Sequence, residues 1–323
     1  MTFIIAEISA SHDGKLDKAL DLVATAAEAG ADAIKLQTFE PEQLASNRNY
    51  VIQSGPWKGQ KLYELYKKAH TPKKWHKELF DLARELEIEA FSTPFHESDV
   101  DFLETLNCPR YKISSFDIIN SDLIKYVAQT GKPIIISVGM ATYNEIWLAY
   151  SFSQINGPCD LTLLHCISAY PTELESVNLK SMQALEEFTP KIGISDHSQY
   201  LMVPVLATAM GASVIEKHIA LDRSGLDGGF ALLPGEFELM VKDVRQTELI
   251  LGNVKYGPSE AENSSFELRP SLYYASDLKS GTILKKEHFY IARPNLGEHP
   301  RMRNELIGST LKYNVSKGDP VEI

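Results

Sequence analysis

Residues 193–198 read GISDHS and residues 215–218 read IEKH, and each short apolar run gives way to polar residues that include a histidine. The apolar part of each run is typical of a buried strand, and the segment between them, about residues 200–210, is typical of a helix. A strand–helix–strand unit places its two strands side by side and parallel. We therefore expect His197 and His218 to lie at the carboxyl ends of neighbouring strands.

Two histidines at one rim indicate a candidate metal site. Neutral imidazoles could hold a divalent cation and leave positions open for water and substrate. The alternative is a pair of unrelated polar residues, since loops at strand ends are often polar. The other strand ends of the chain bear on this choice.

An alternation of short apolar strands and amphipathic helices extends from residue 3 to about residue 219. Strands are predicted near residues 3–6, 33–36, 89–92, 111–114, 133–137, 161–165, 191–194 and 212–216. Eight strands with helical segments between them favour a closed barrel over an open sheet. The predicted fold class is therefore α/β, with a (β/α)8 TIM barrel.

The composition changes after a predicted helix near residues 234–251. Residues 252–266 are rich in Gly, Asn, Ser, Glu and Pro, which is typical of a linker. Residues 267–323 carry short apolar runs separated by turn signals, such as KSG at 279–281, and predict a small, mostly β domain. We expect a barrel domain over residues 1–251, then the linker, then the small domain.

Composition and charge exclude several classes of protein. The chain has 323 residues, and 32 basic against 43 acidic residues give a net charge of −11, so we expect no nucleic-acid or anionic-membrane partner. The three cysteines have no disulfide or zinc spacing, which favours a reducing compartment. No signal peptide and no membrane-spanning apolar run is predicted. These features predict a soluble, cytoplasmic protein.

In a barrel the site is built from the carboxyl ends of the strands, so those ends are candidate site residues. They are Glu7, Lys35 with Gln37, Thr93, Lys112 with Ser115, Ser137, His165 with Ser168 and Tyr170, Ser195 with His197, and Glu216 with His218. The two lysines could pair with a phosphate and a carboxylate, and the nearby hydroxyls could fill the remaining acceptors. The alternative is a rim of solvated side chains.

Acids and bases for the chemistry can also be named from the strand ends. Glu7, Asp117 and Glu216 are candidates for proton transfer or for binding of substrate hydroxyls, provided that their surroundings shift their pKa values. A cation on the histidine pair could polarise a carbonyl oxygen as a Lewis acid. The long segment 39–71, which contains several aromatic residues, is either surface decoration or a lid over the barrel mouth.

Many short motifs resemble those of the sialic acid (nonulosonic acid) synthase family. They are IIAEISASHDG at 4–14, KLQT at 35–38, FSTPF at 91–95, YKISS at 111–115, SVGM at 137–140, LHC at 164–166, GISDH at 193–197 and EKH at 216–218. The small domain resembles the antifreeze-like (SAF) domain of that family, with Arg293 and Pro294 at its matching motif. The resemblance covers essentially the whole chain.

The resemblance implies a reaction and a set of ligands. The family condenses phosphoenolpyruvate with an N-acylated amino sugar to a nine-carbon 2-keto acid and releases phosphate. By resemblance, Mn²⁺ or Mg²⁺ on His197 and His218 would orient and polarise the sugar aldehyde. The residues that would hold phosphoenolpyruvate are Lys35, Thr93, Lys112, Ser115, Ser137 and Ser195.

The same resemblance assigns residues to the sugar. Glu7 and Asp227 would contact the sugar or metal-bound water, and Tyr170 would line the sugar site. Gln37 and Ser168 are also expected to bind substrate, because of their places at strand ends. Asp117 stands where the family usually has a glutamate and is a candidate for proton handling. In a domain-swapped homodimer, Arg293 would enter the other subunit's site and bind the acyl carbonyl or hydroxyls of the sugar.

Short motifs favour one branch of the family. SAYP at 168–171, SSFDI at 114–118 and DGGFAL at 227–232 are closer to pseudaminic acid synthases than to N-acetylneuraminate synthases, and a legionaminate synthase is a further alternative. Two positions depart from the family pattern: Ser11 replaces an asparagine, and NLG at 295–297 replaces a glycine-rich stretch. Alternatives from other classes are a metal-dependent aldolase and a non-catalytic sugar-binding protein that kept the fold.

Overall fold

The computed structural model describes all residues, Met1–Ile323. The chain forms two compact units, Met1–Gly252 and Asn253–Ile323. Each unit has its own cluster of buried apolar side chains. None of the helices combines the length and the apolar composition needed to cross a membrane.

The first unit is a closed barrel of eight parallel strands in sequence order, as predicted. The ring closes where the last strand pairs with the first, from Phe3 opposite Val214 to Glu7 opposite His218. The strands are β1 Phe3–Glu7, β2 Ala33–Thr38, β3 Glu89–Pro94, β4 Tyr111–Ile113, β5 Ile134–Ser137, β6 Leu161–Cys166, β7 Ile192–Asp196 and β8 Val214–His218. Because all strands are parallel, their carboxyl ends share one rim.

Helices follow the strands and cover the outside of the barrel. They are α1 Leu16–Glu28, α2 Pro41–Leu44, α3 Leu62–Ala69, α4 Lys73–Glu85, α5 Glu97–Thr105, α6 Ser121–Gln129, α7 Tyr143–Ser153, α8 Lys180–Gln183, α9 Met202–Ala209 and α10 Pro234–Leu251. In α1 the residues Ala19, Leu22, Val23 and Ala26 are fully buried, and this i, i+3, i+4, i+7 spacing forms one apolar stripe towards the core.

Strand alternation decides which polar residues enter the barrel. Successive side chains of a strand point to opposite faces, so Ser195 and His197 share one face of β7 and Asp196 takes the other. On the outer face Lys217 Nζ lies 2.6 Å from Asp196 Oδ2, and both side chains are almost fully buried. A β-carbon at Gly193 would lie 2.1 Å from the Val214 carbonyl oxygen, so the close approach of β7 to β8 requires glycine there.

Residues 39–71, between β2 and α4, form a folded segment. It contains α2 and α3, and an isolated antiparallel bridge joins Val51 to Lys61. The loop between the two bridge residues carries Trp57, which is half-buried.

The second unit is built on two antiparallel strands, β9 Ser271–Tyr274 and β10 Phe289–Ala292. Its core contains Leu272, Tyr274, Leu284, Phe289, Leu311 and Val321. It also has α11 Asn263–Phe266, α12 Arg303–Leu306 and the 3-10 helices Glu260–Glu262, Lys286–His288 and Pro300–Met302. Further antiparallel bridges, such as Leu278 with Val315, extend its β character.

Candidate active site

A buried ionic cluster lies at the carboxyl ends of the barrel strands. Lys35 Nζ contacts the carboxylate of Glu7 and lies 3.8 Å from Glu216 Oε2. Lys112 Nζ lies 3.9 Å from the same oxygen. No member of the cluster is more than 4% exposed. The two lysines predicted to bind an anion therefore both lie within 4 Å of one carboxylate oxygen.

Predicted hydroxyl groups surround the cluster. Thr93, Ser137 and Ser195 are all buried. Lys35 Nζ donates to Thr93 Oγ1 (3.2 Å), Lys112 Nζ donates to Ser137 Oγ (2.6 Å) and Ser195 Oγ donates to Glu216 Oε1 (2.8 Å). An anion that displaced Glu216 from the lysines would find these three hydroxyls close by.

The charged groups in the cluster shift one another's pKa values. Burial alone would raise the pKa of Glu216, but Lys112 and Lys35 outweigh it and lower that pKa to about 2. Burial raises the pKa of Glu7 against the opposing charge of Lys35, and it lowers the pKa of Lys112 against the attraction of Glu216. Glu216 therefore stays ionised at neutral pH, and its Oε2 atom has no hydrogen-bond partner.

The two histidines predicted as metal ligands lie side by side, with ring centroids 5.3 Å apart. His197 Nδ1 lies 3.1 Å from the Ile167 carbonyl oxygen, and His218 Nδ1 lies 3.3 Å from Asp227 Oδ2. Both partners can only accept, so each neutral ring carries its proton on Nδ1 and keeps the lone pair on Nε2. Metal-binding histidines commonly have such an acceptor behind the ring.

The donor set fits a cation that is bound by two imidazoles. No group of three or more His, Cys, Asp or Glu side chains is arranged to hold a metal. Water and substrate would therefore have to supply the remaining positions, which is usual for a catalytic ion and unusual for a structural one. The predicted pair His197 and His218 would supply two imidazole ligands to such a site.

Aromatic side chains form a wall beside the histidines. The Tyr170 ring centroid lies 4.3 Å from that of His197, and the Phe230 ring centroid lies 4.9 Å from that of His218. Trp57, from the segment between β2 and α4, packs on both Tyr170 and Phe230. The predicted sugar-lining residue Tyr170 therefore belongs to a larger apolar surface.

Two further predicted residues, Ser115 and Ser168, meet at Gly139. A β-carbon on Gly139 would lie 2.8 Å from Ser115 Oγ and 2.5 Å from Ser168 Oγ, so only glycine leaves room for both hydroxyls. Ser115 Oγ accepts the Gly139 N–H at 3.0 Å. Cys166 Sγ lies 3.8 Å from Ser168 Oγ and 3.8 Å from His197 Nδ1, which joins this pair to the histidine side of the site.

Gln37 and Asp227 connect the site to the turn after β1. Gln37 Nε2 donates to Ser9 Oγ at 2.9 Å, and the Ser9 N–H donates to Glu7 Oε1 at 2.8 Å. Asp227 Oδ2 accepts the Ala10 N–H at 3.3 Å, in addition to its contact with His218. Hydrogen bonds within the protein therefore already orient the carboxylates of Glu7 and Asp227, which are predicted to contact the sugar.

Two predicted residues are not brought into these contacts. Asp117 bonds to Ser114 in its own loop; burial raises its pKa, and the Ser114 hydrogen bond and the charge of Lys112 oppose that rise. Arg293 lies in the second unit, where its side chain is exposed.

The expectation that His165 faces the barrel mouth is wrong. Its Nε2 lies 2.6 Å from the Val177 carbonyl oxygen, outside the ring of strands. The cause is alternation along β6: Cys166 is paired with the inward Ser195, so His165, one residue earlier, points outwards with Ile194. The inward residue at this strand end is Cys166.

The sequence reasoning missed several residues of the site. Glu216 was named only as one of several acids, although it lies at the centre of the cluster. Strict alternation counted back from His218 would have placed it inside. Phe230 and Trp57 lie in loops without a repeating pattern, so no periodic signal marks them.

Comparison with known proteins agrees with this geometry. Residues 22–256 match the NeuB family, and residues 269–322 match the SAF domain. The pseudaminic acid synthase of Helicobacter pylori is 42% identical and covers 98% of this chain and 96% of that protein. The N,N'-diacetyllegionaminic acid synthase of Legionella pneumophila is 38% identical and covers 98% of this chain and 92% of that protein.

A solved structure gives the same result for the fold. The N-acetylneuraminic acid (sialic acid) synthetase of Leptospira borgpetersenii, in complex with citrate, has a TM-score of 0.74 and 33% identity over 82% of this chain and 90% of that one. The resemblance inferred from the sequence motifs is confirmed, since the matched residues include most of the barrel and most of the second unit. The chain belongs to the NeuB family.

Proposed function

We propose that the chain condenses phosphoenolpyruvate with an N-acylated amino sugar and releases phosphate and a nine-carbon 2-keto acid. The observation that carries the proposal is the pair of buried lysines, Lys35 and Lys112, held by Glu216 at the rim of a NeuB-family barrel. Two lysine ammonium groups within one buried cluster can each pair with an anionic group of one substrate, which supports a donor with more than one negative charge.

The donor half of the site follows from charge and hydrogen bonding. Phosphoenolpyruvate carries a phosphate and a carboxylate, and each could take one lysine as a point charge. The hydroxyls of Thr93, Ser137 and Ser195 would supply donors to the remaining oxygens, and Ser115 lies near the Gly139 backbone on the same rim. Binding of the donor would weaken the contacts of Lys35 and Lys112 with Glu216.

The acceptor half lies around the two histidines. His197 and His218 would hold Mn²⁺ or Mg²⁺ through Nε2, and such an ion supplies Lewis-acid polarisation of the sugar aldehyde. Tyr170 offers an apolar ring to the carbon chain of the sugar. Asp227 orients the His218 ring and keeps its second oxygen for water or a sugar hydroxyl.

The bonds of the proposed reaction balance with one water molecule. A carbon–carbon bond forms between the methylene carbon of phosphoenolpyruvate and the aldehyde carbon. Water adds to the carbon that carries the phosphate, and the carbon–oxygen bond breaks so that phosphate leaves. The aldehyde oxygen takes up one proton and the attacking water loses one as it adds. When the carbon–oxygen bond to phosphate breaks, the remaining hydroxyl of the adduct becomes the keto group and its proton leaves with the phosphate. Glu7 and Asp117 are our candidates for these transfers, because burial raises the pKa of each.

Among the family branches we favour the reaction of pseudaminic acid synthases. The 42% identity to the Helicobacter pylori enzyme along the whole chain supports this choice. The 38% identity to the legionaminic acid enzyme is lower by a small margin, so legionaminate and N-acetylneuraminate synthesis are the competing assignments. The branches differ in the acceptor sugar and share the donor.

Two functions from other classes lack comparable support. A metal-dependent aldolase would need no phospho-donor, and the lysine pair with its hydroxyls would then have no task. A sugar-binding protein without activity would need neither the lysines nor the free Nε2 atoms of the histidine pair. The intact cluster therefore favours the condensing enzyme.

We also propose, from the family resemblance, a cytoplasmic domain-swapped homodimer in which Arg293 completes the site of the other subunit. Arg293 is exposed within its own unit, so its guanidinium is free to bind a ligand. Its planar fork of donors suits the acyl carbonyl or the hydroxyls of a sugar.

Phosphate release tests the proposed reaction. The protein is incubated with phosphoenolpyruvate, Mn²⁺ and a panel of open-chain-competent amino sugars that differ in acyl and deoxy pattern. We expect release that depends on the sugar, with Lys112→Ala raising the KM for phosphoenolpyruvate about thirtyfold or more, because one lost buried charge contact costs roughly 2–5 kcal/mol. Condensation without phosphate release would instead establish an aldolase.

A matched control separates the lysine pair from general effects of charge. Lys191 precedes β7 at the opposite end of the barrel and is half-exposed in an ion pair with Asp160. Lys191→Ala should leave the KM for phosphoenolpyruvate unchanged. A Lys112→Ala enzyme whose defect is limited to the KM of the sugar would refute the assignment of the lysine to the donor.

A further inference from the structure

The loop between β8 and α10, residues 219–233, carries Asp227 to the back of the His218 ring. Two backbone hydrogen bonds close the neck of this loop: the Ala220 N–H donates to the Leu232 carbonyl oxygen at 2.9 Å, and the Leu232 N–H donates to the His218 carbonyl oxygen at 2.9 Å. Asp227 itself is buried. The shape of the loop therefore decides whether a carboxylate stays behind His218.

The side-chain contacts of Asp227 are too long to fix it alone. Its Oδ2 atom lies 3.3 Å from the Ala10 backbone nitrogen and 3.3 Å from His218 Nδ1. Hydrogen bonds from N–H groups in proteins are usually about 2.9 Å long. The position of this carboxylate must therefore depend on the backbone that carries it.

One arm of Arg223 binds this backbone. Its Nη1 atom donates to the Ala231 carbonyl oxygen and, at 3.3 Å, to the Gly228 carbonyl oxygen. The Ala231 N–H in turn donates to the carbonyl oxygen of Asp227 at 2.9 Å. A β-carbon on Gly228 would lie 2.4 Å from the Arg223 carbonyl oxygen, so the two parts of the loop are in close contact. Arg223 therefore holds the turn that begins at Asp227.

The other arm of Arg223 is tied to a helix. Its Nη2 atom donates to both carboxylate oxygens of Glu236, at 2.8 and 2.6 Å. Glu236 lies in the first turn of α10, and its Oε2 atom also accepts the Leu233 N–H at 2.7 Å. The planar fork of a guanidinium can bind a carboxylate and backbone carbonyls at once. Arg223 thus connects the turn at Asp227 to a helix that packs on the barrel.

We propose that Arg223 is a positioning residue that holds Asp227 behind His218 and thereby orients the His218 ring towards a bound cation. The inference rests on the proposed function, because the role of His218 as a metal ligand comes from there. Arg223 acts only through the loop and touches neither the cation nor a substrate. Loss of an acceptor behind a metal-binding histidine usually weakens metal binding about tenfold to hundredfold. Arg223 acts one step further away, so we expect an effect of about tenfold.

The test measures Mn²⁺ binding without substrates, by electron paramagnetic resonance of the free ion. Arg223→Met should fold, because the side chains of Arg223 and Glu236 are 40% and 42% exposed and such ion pairs contribute little to stability. The variant should bind Mn²⁺ about tenfold more weakly. Removal of a positive charge by itself would favour a bound cation, so a weaker affinity cannot come from the lost charge.

Arg245→Met is the matched control. Arg245 also lies on α10 and also binds one backbone carbonyl and one carboxylate, those of Thr2 and Asp32, each at 2.6 Å. These partners lie at the amino ends of the strands, away from the histidines. Arg245→Met removes the same charge and should keep the wild-type affinity for Mn²⁺. Denaturant unfolding of both variants shows whether their losses of stability are similar.

Two further measurements follow the position of Asp227. In a crystal structure of Arg223→Met, Asp227 Oδ2 should lie more than about 3.5 Å from His218 Nδ1, beyond hydrogen-bond distance. In the phosphate-release assay, Arg223→Met should raise the KM of the sugar and leave the KM for phosphoenolpyruvate unchanged, because Lys35 and Lys112 make no contact with Arg223.

The results separate this inference from the proposed function. Wild-type affinity for Mn²⁺ in Arg223→Met, or an unmoved Asp227 in its crystal structure, overturns the role of Arg223 and leaves the reaction standing. An equal loss of affinity in Arg245→Met assigns the effect to stability and also overturns it. Absence of phosphate release with every sugar overturns the proposed function, and the crystal structure and Mn²⁺ binding then still decide the role of Arg223.

Discussion

Glu216 lies between two lysines that would otherwise repel each other in a buried space. An uncompensated charge in a protein interior is costly, and a paired one is tolerated when its geometry and hydrogen bonds are good. Glu216 meets this condition through Lys35, Lys112 and the Ser195 hydroxyl. The carboxylate therefore acts as a counterion that both lysines share.

At the histidine pair, we predict that a divalent cation is required for turnover. Chelation should abolish activity, and Mn²⁺ should restore it at least as well as Mg²⁺, because Mg²⁺ prefers all-oxygen shells. His197→Ala should weaken Mn²⁺ binding, measured by electron paramagnetic resonance of the free ion, by at least about tenfold. Full activity of the chelator-treated enzyme, or wild-type Mn²⁺ affinity in His197→Ala, would contradict this prediction.

A buried histidine outside the site predicts how stability depends on pH. His76 is fully buried in α4, its Nε2 lies 2.7 Å from Thr38 Oγ1, and burial lowers its pKa to about 4. Below pH ~6.5 the unfolded chain binds a proton that the folded chain refuses, so stability falls as the pH decreases towards 4. The loss from His76 between pH 7 and 5 should be about 2 kcal/mol.

Denaturant unfolding at pH 7, 6 and 5 measures this contribution. His76→Gln should be less stable at pH 7, but its unfolding free energy should fall less steeply with pH than that of the wild type. His96→Asn is the control, because His96 is exposed and asparagine is also a good helix N-cap. If the unfolding free energies of wild type and His76→Gln changed in parallel with pH, His76 would have the same pKa in the folded and unfolded states, which would contradict the prediction.

At the scale of strands and helices, the sequence predicts the barrel well because each strand is a short apolar run. The predicted carboxyl ends of β7 and β8 come two residues too early. In the structure these strands continue to Asp196 and His218, because their last residues are polar and do not show the apolar pattern of a buried strand. Those polar residues are inside strands because the barrel interior at this end is a polar site. Propensity cannot reveal this, since the ion pairs that stabilise it join residues far apart in the sequence.

Alternation along β7 and β8 also leads to a prediction about the outer-face pair Asp196 and Lys217. These residues lie next to the two histidines in sequence and are paired across the strands. Lys217 also bonds to the Ser198 carbonyl oxygen, and Asp196 Oδ1 accepts the Ser198 N–H at 2.9 Å. We predict that this pair fixes the turn that orients His197.

A double variant separates positioning from stability. Lys217→Met alone should cost about 3–5 kcal/mol, because it leaves a buried carboxylate unpaired, whereas Asp196→Leu with Lys217→Met should regain most of that stability. If the pair positions His197, Mn²⁺ affinity should stay about tenfold weaker in the stable double variant. Recovery of both stability and Mn²⁺ affinity would limit the pair to a structural role.

At the scale of the whole molecule, the net charge of the protein has the same sign as the charge of the proposed donor. The chain carries a net charge of −11, so its overall field does not attract an anion such as phosphoenolpyruvate. In the proposed function the attraction would come from Lys35 and Lys112, which are both buried and would act at close range. Donor affinity should therefore depend less on ionic strength than binding at a surface patch would.

The second unit, Asn253–Ile323, has its own core, and its Arg293 side chain is exposed. From the family resemblance we predict that Arg293 completes the active site of another subunit in a two-fold dimer, so sedimentation should show a dimer. Arg293→Ala alone should then raise the KM of the sugar, because the sugar would lose the planar fork of donors that the guanidinium offers to its acyl carbonyl.

Mixing of subunits decides whether this contribution crosses the interface. In a dimer of one His197→Ala and one Arg293→Ala subunit, exchange across the interface leaves one site with both defects and one site with neither. The mixture should therefore regain up to about half the wild-type activity per mixed dimer, as measured by phosphate release. If Arg293 acts within its own subunit, each site keeps one defect and no recovery occurs. Subunit exchange, verified with differently tagged chains, makes an inactive mixture decisive against the swap.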